Sequence, residues 1–158
     1  MGSQQVDGNN KSFYVGATLA NRDIMIAIAD ALIAKGWTQT YRWGVVDKSQ
    51  YAATAAAELD GVLSADVFIG VVPGMRLGTS TELGAALANQ RWADYALGDT
   101  VRVILWAPTR EGFTKAGDGL HPSVFVAHPD VERIVGEDPV ETIVNYLFGE
   151  GIRVLAYP

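Results

Sequence analysis

Hydrophobic positions come in short continuous runs, separated by longer amphipathic or alanine-rich stretches. SFYVGA (12–17) is apolar and ends in a glycine turn, which predicts a buried strand. NRDIMIAIADALIAKG follows, with Asn21 placed to cap a helix and Gly36 to stop it. That helix is apolar on most faces and is expected to be well buried. WTQTYRW (37–43), rich in threonine and aromatics, predicts a second strand. DKSQYAATAAAELDGVLSA opens on Asp47-x-x-Gln50, a capping-box spacing, and its alanines favour helix. DVFIGVV (66–72) suits a central strand covered on both faces. TSTELGAALANQRWA predicts a third helix and VRVILWA (101–107) a fourth strand. Residues 108–122 read as a loop, SVFVA as a short fifth strand, and HPDVERIV as a turn or one or two helical turns. Asp138-Pro139-x-Glu141 combines a cap, a proline at the first helical position and an acid in the first turn, so a last helix is expected to run to Phe148. The tail GEGIRVLAYP shows no decisive pattern.

Alternating strands and helices point to an α/β fold. The expectation is a doubly wound, flavodoxin-like five-stranded parallel sheet with helices on both faces. A length of 158 residues suits one domain, expected over residues 12–158, and no internal repeat is visible. The polar opening, residues 1–11, is expected to be a disordered tail, in part an expression remnant.

Composition narrows the chemistry. The net charge of −6 disfavours a nucleic-acid polymer or an anionic membrane as partner, while leaving room for a small anionic ligand in a locally positive pocket. With no cysteine, thiolate chemistry and disulfides are excluded. His121 and His128 lack zinc-site spacing, each precedes proline, and both read as structural or exposed. No apolar run reaches the about 18 residues that span a bilayer. A cytoplasmic protein is expected.

In a doubly wound sheet, ligands bind beyond the C-terminal ends of the strands where strand order reverses, here strands one and three. Those ends read YVGATLAN and GVVPGMRLGTSTE. Neither carries G-x-G-x-x-G, and no G-x-x-x-x-G-K-[ST] or G-x-S-x-G occurs. Dinucleotide, ATP and hydrolase-elbow readings therefore lack support, and no cofactor or metal is expected. A flavin mononucleotide site ranks low, because strand one is not followed by a Ser/Thr-rich phosphate loop. One carboxylate, Glu82, stands just behind the glycine- and hydroxyl-rich run. It has two readings: the acid of a Thr79-x-x-Glu82 capping box, or an ionised group aimed into the ligand crevice, able to attack a sugar's anomeric carbon.

FYVGATLANRD, AAELDGVLSADVFIGVV and GTSTELGAALA, in that order and spacing, resemble the nucleoside 2-deoxyribosyltransferase superfamily, which includes base-exchanging transferases and nucleotide N-glycosidases. The resemblance covers residues 12–90 and implies a catalytic nucleophile at Glu82, held by a hydrogen bond from Tyr14, with Gly16 as the turn glycine. It implies an acid on helix two, eight positions before Asp66, which is Glu58; Asp60 faces the other side of that helix. Asp66 itself is read as shaping the start of its strand. Substrate contacts are expected from Gly16, Ala17 and Arg22 after strand one, and from Met75, Arg76, Gly78 and Ser80 after strand three. Trp43 is read either as a base-stacking or as a core residue. Two departures stand out. Arg76 occupies the place where transferases of the family carry an aspartate, and Leu19 the place where the N-glycosidases carry a phosphate-binding arginine. Arg76 suits a phosphate or an electron-rich base edge. The implied activity is cleavage of a 2′-deoxynucleoside N-glycosidic bond with transfer of the sugar to another base. The alternatives are hydrolysis of nucleoside 5′-monophosphates and a non-catalytic nucleotide-binding module. The implied partners are a nucleoside or nucleotide, a nucleobase, and further copies of the chain in a homodimer or larger homo-oligomer.

Overall fold

The computed structural model describes residues 10–98, 100–114, 124–149 and 154–157. Five strands form one all-parallel sheet in the order β2-β1-β3-β4-β5. They are β1 (Ser12–Gly16), β2 (Thr38–Gln39), β3 (Val67–Val71), β4 (Arg102–Ala107) and β5 (Val131–Val135). Helices α1 (Arg22–Ala34) and α4 (Pro139–Phe148) pack together against one face, and α2 (Tyr51–Leu63) and α3 (Leu77–Ala96) against the other. This is the doubly wound, flavodoxin-like architecture. Every residue of β3 is buried, as befits a strand covered on both sides. Strand order reverses between β1 and β3, whose neighbouring C-terminal ends pair Gly16 with Gly70.

Three elements differ from expectation. SVFVA is not a strand: Val124–Ala127 is a single 3-10 turn with Val124 80% exposed, and the fifth strand is instead VERIV. Charged residues hid that strand. Arg133 is buried because its guanidinium donates to the carbonyls of Val126, His128 and Leu155. Glu132 is held by Arg102 and Tyr146. Strand two shrinks to Thr38–Gln39, because the chain then leaves the sheet edge and brings Trp43 beneath β1, where its indole N–H donates to the Val15 carbonyl at 2.8 Å. Helix three begins at Leu77, two residues before Thr79. The amide of Ser80 bonds the Arg76 carbonyl and the Thr79 side chain caps nothing.

Local signals elsewhere act with small changes. Asn21 precedes α1 but its side chain donates to the Pro73 carbonyl, tying the two Gly-rich connections together. Asp47 accepts from the Ser49 amide and starts a 3-10 turn ahead of α2, so the expected box with Gln50 does not form. The buried stripe of α1 is Met25, Ile28, Ala29 and Leu32, a helical spacing. Residues 1–9 of the expected tail, His121 and residues 115–122 of the expected 108–122 loop lie outside the described residues. Among the described residues, no helix is long and apolar enough to cross a membrane.

Asp138 caps α4 as expected, accepting from the Glu141 amide at 2.8 Å with Pro139 at the first helical position. Asp138→Ala should lower unfolding free energy by about 1 kcal/mol in urea titrations. An unchanged midpoint would show that the cap contributes nothing.

Candidate active site

The switch point brings together a phenol and a carboxylate. Tyr14, fully buried on β1, donates its hydroxyl to Oε1 of Glu82 on α3 at 2.7 Å. The Tyr14 ring lies parallel to Phe68 of β3 at a centroid distance of 6.0 Å, which fixes the phenol's direction. Glu82 has therefore spent no hydrogen bond on its own helix start; the capping reading does not hold. Its second oxygen, Oε2, is buried with no hydrogen-bond partner. A Cβ placed on Gly16 would stand 2.7 Å from that oxygen and 3.0 Å from the Phe68 ring, so only glycine leaves the carboxylate its place.

Burial sets the electrostatics. It pushes the Glu82 carboxyl up, the Tyr14 hydrogen bond pulls it down, and the charge of Glu58 pushes it up again, to about 7. Burial also raises Glu58 above the usual carboxylate range. The Tyr14 hydroxyl is raised by burial and then by the negative charge of Glu82, so it stays a donor.

Glu82 faces a cavity of about 360 Å³, which Glu58, Trp43, Ala17, Arg76 and Gly78 also line. Glu58, rather than Asp60, reaches it; Asp60 is exposed on the other side of α2. Trp43 combines both of its readings, being buried, bonded to β1 and exposed on one edge to the cavity. Four expected contacts are not part of that lining, Gly16 among them, which lies against Glu82 Oε2 instead. Arg22 packs its guanidinium behind Gly44, Met75 packs against the core, and Ser80 is outside the lining. Asp66 holds the amide and hydroxyl of Ser12 at the start of the sheet. His128 accepts from the Asp130 amide in a turn.

A second cavity, of about 350 Å³, adjoins the first and shares Thr18, Leu19 and Arg76 with it. Arg76 thus stands at the junction. Sequence reasoning missed Thr79, Tyr51 and Val46 as lining residues. Thr79 had the clearest signal, a hydroxyl three residues before the carboxylate, but was read as a cap. Among the described residues no group of three His, Cys, Asp or Glu side chains is placed to hold a metal ion.

No family model matches the chain, and no curated protein matches it. A solved structure of a Clostridium botulinum CMP N-glycosidase, BcmB, is similar, with a TM-score of 0.55 and 19% identity over 87% of this chain and 97% of that one. At that identity the likeness is one of fold.

The buried carboxylate has a cost that titrates. The folded Glu82 holds its proton up to about 7, above the ordinary 4.5, so stability falls as pH rises between those values and stays low above. Glu82→Gln keeps an acceptor for Tyr14 and removes the charge. At pH 8 it should be more stable than the parent by on the order of 1–3 kcal/mol, with the difference closing toward pH 4.5. Equal stability at both pH values in chemical denaturation would contradict the burial argument.

Proposed function

We propose that the chain cleaves the N-glycosidic bond of 2′-deoxynucleosides and passes the deoxyribosyl group to another nucleobase through a covalent ester on Glu82. The observation that carries this reading is a carboxylate oriented by a buried phenol in a cavity that a second carboxylate also lines. The resemblance of the three sequence segments and the fold shared with an N-glycosidase support it.

In the first step a Glu82 oxygen bonds to C1′ as the C1′–N bond breaks. The bonding pair goes to the base nitrogen, and a proton from Glu58, or from a water it holds, neutralises the leaving base. Glu58, raised by burial, is suited to give that proton. Charge grows on the oxocarbenium-like sugar while Tyr14 keeps Glu82 turned toward it. In the second step the acceptor base attacks C1′, the Glu82 carboxylate leaves, and Glu58 takes up the acceptor's proton. Two inversions give net retention. Water in place of the acceptor would give hydrolysis from the same intermediate.

A second reading, hydrolysis of nucleoside 5′-monophosphates, is favoured by Arg76. Its cation stands between the Glu82 cavity and an adjoining one, where a 5′-phosphate could extend. The similar structure is described as acting on CMP. A homo-oligomer remains part of the proposal. Tyr51, which lines the cavity, is exposed at its edge, and Leu59 of the same helix is exposed too; a second copy would cover them.

Incubation with deoxynucleosides and deoxynucleotides, with and without a free acceptor base, followed by chromatography, tests both readings. Base exchange or release is expected, and it should vanish in Glu82→Ala; no turnover would leave a binding module, and turnover that survives that substitution would remove Glu82 as the nucleophile. The rate should rise with pH through an inflection near 7, where Glu82 loses its proton and becomes nucleophilic, the leaving base then taking its proton from a water that Glu58 holds. A rate that falls across that range would contradict the assignment. Arg76→Ala should raise KM for a nucleoside monophosphate by about tenfold or more and leave the nucleoside nearly unchanged; equal effects on both would remove the phosphate reading.

A further inference from the structure

Helix α2 is rich in alanine, with Ala52, Ala53, Ala55, Ala56 and Ala57 in its first turns, yet it carries glycine at 61. Glycine inside a helix weakens it relative to alanine, so the position calls for a local cause. The cause lies in what surrounds it. Gly61 is buried, and a Cβ there would stand 2.7 Å from Cβ of Tyr41 and 3.1 and 3.2 Å from the ring edge of Tyr14.

The Tyr41 side cannot yield cheaply, because the contact is at its Cβ and the backbone on either side is fastened. The amide of Thr40 donates to the Phe13 carbonyl at 2.9 Å. The Thr40 hydroxyl lies 2.7 Å from the Gly61 carbonyl and 3.2 Å from that of Phe13. Trp43 is bonded to Val15 at 2.8 Å. An added methyl group would therefore be relieved by the Tyr14 ring or by a shift of α2 away from β1. Either displacement reaches the site. The first moves the phenol off Glu82; the second withdraws Glu58, which stands one helical turn before Gly61 on the same face.

We propose that Gly61 is a positioning residue for the glycosidic reaction: its missing side chain lets α2 close onto β1 and so fixes the Tyr14 hydroxyl on Glu82 and Glu58 at the cavity wall. The proposal rests on the reading of Glu82 as nucleophile, but its geometry can be tested without turnover.

Gly61→Ala is the test, read in two ways. Carbon-13 NMR of the glutamate carboxyls follows the titration of Glu82. In Gly61→Ala it should move: upward, as in Tyr14→Phe, where the ring shift breaks the hydrogen bond that lowers it, or downward where a shift of α2 takes away the Glu58 charge that raises it. In the base-exchange assay kcat should fall on the order of 10- to 100-fold with KM within about threefold. Where the shift is upward, adding Gly61→Ala to Tyr14→Phe should cost much less than it does alone. A folded Gly61→Ala protein with the parent's Glu82 titration and kcat would overturn the proposal, as would an upward shift accompanied by losses that multiply fully in the double variant. If the parent proves to have no glycosidic activity, the titration alone decides. Should Gly61→Ala fail to fold, Thr40→Val loosens the same clamp by removing the bond to the Gly61 carbonyl. A several-fold fall in kcat at unchanged KM, or a shift of the Glu82 titration, is expected, and a Thr40→Val protein that shows neither would overturn the proposal.

Discussion

The hydrogen bond from Tyr14 to Glu82 joins two layers of the molecule and constrains nearly everything around it. The phenol is carried by a central strand and the carboxylate by a helix that packs over that strand, so the bond exists only when β1, β3 and α3 are in register. It also sits where burial opposes charge. A carboxylate with one satisfied and one unsatisfied oxygen is a poor element of a stable core. The proposed chemistry would use the unsatisfied oxygen, since a nucleophile needs a lone pair free for attack. The orphan oxygen and the raised proton affinity follow from the same placement.

The neighbourhood is built to hold that placement rather than to relieve it. Phe68 backs the phenol, Gly16 leaves room beside the orphan oxygen, and Trp43 buttresses the end of β1 through the Val15 carbonyl. Among the described residues no cation is paired with Glu82, and Arg76 lines the same cavity.

How much of this was legible in the sequence depended on whether a signal was local. β1, β3 and β4 are continuous apolar runs, and α4 has its own cap, so each element shows in a short window. β5 did not, because Glu132 and Arg133 are satisfied by Arg102, Tyr146 and the carbonyls of distant segments, none visible from VERIV alone. The second strand was cut short by Trp43 reaching for a carbonyl 28 positions away. At the site, Tyr14 and Glu82 were found through their glycine-rich settings and the family resemblance. The choice of Glu58 over Asp60 needed the helix's facing, which periodicity supplies only roughly. Thr79 was misjudged because its spacing to Glu82 copies a capping box, while the helix in fact begins two residues earlier. Arg22 and Met75 lie close in sequence to the crevice but turn to Gly44 and to the core.

The central claim is that Glu82 forms a covalent bond to the sugar. A 2′-fluorinated deoxynucleoside destabilises the oxocarbenium-like transition states and slows breakdown of such an intermediate. Intact-mass spectrometry of the protein after incubation with it, followed by peptide mapping, tests the claim most directly. The account predicts one added fluorosugar per chain, on the peptide containing Glu82, discharged by adding an acceptor base. Turnover of the natural substrate with no adduct from the analogue, or an adduct on a different residue, would contradict it.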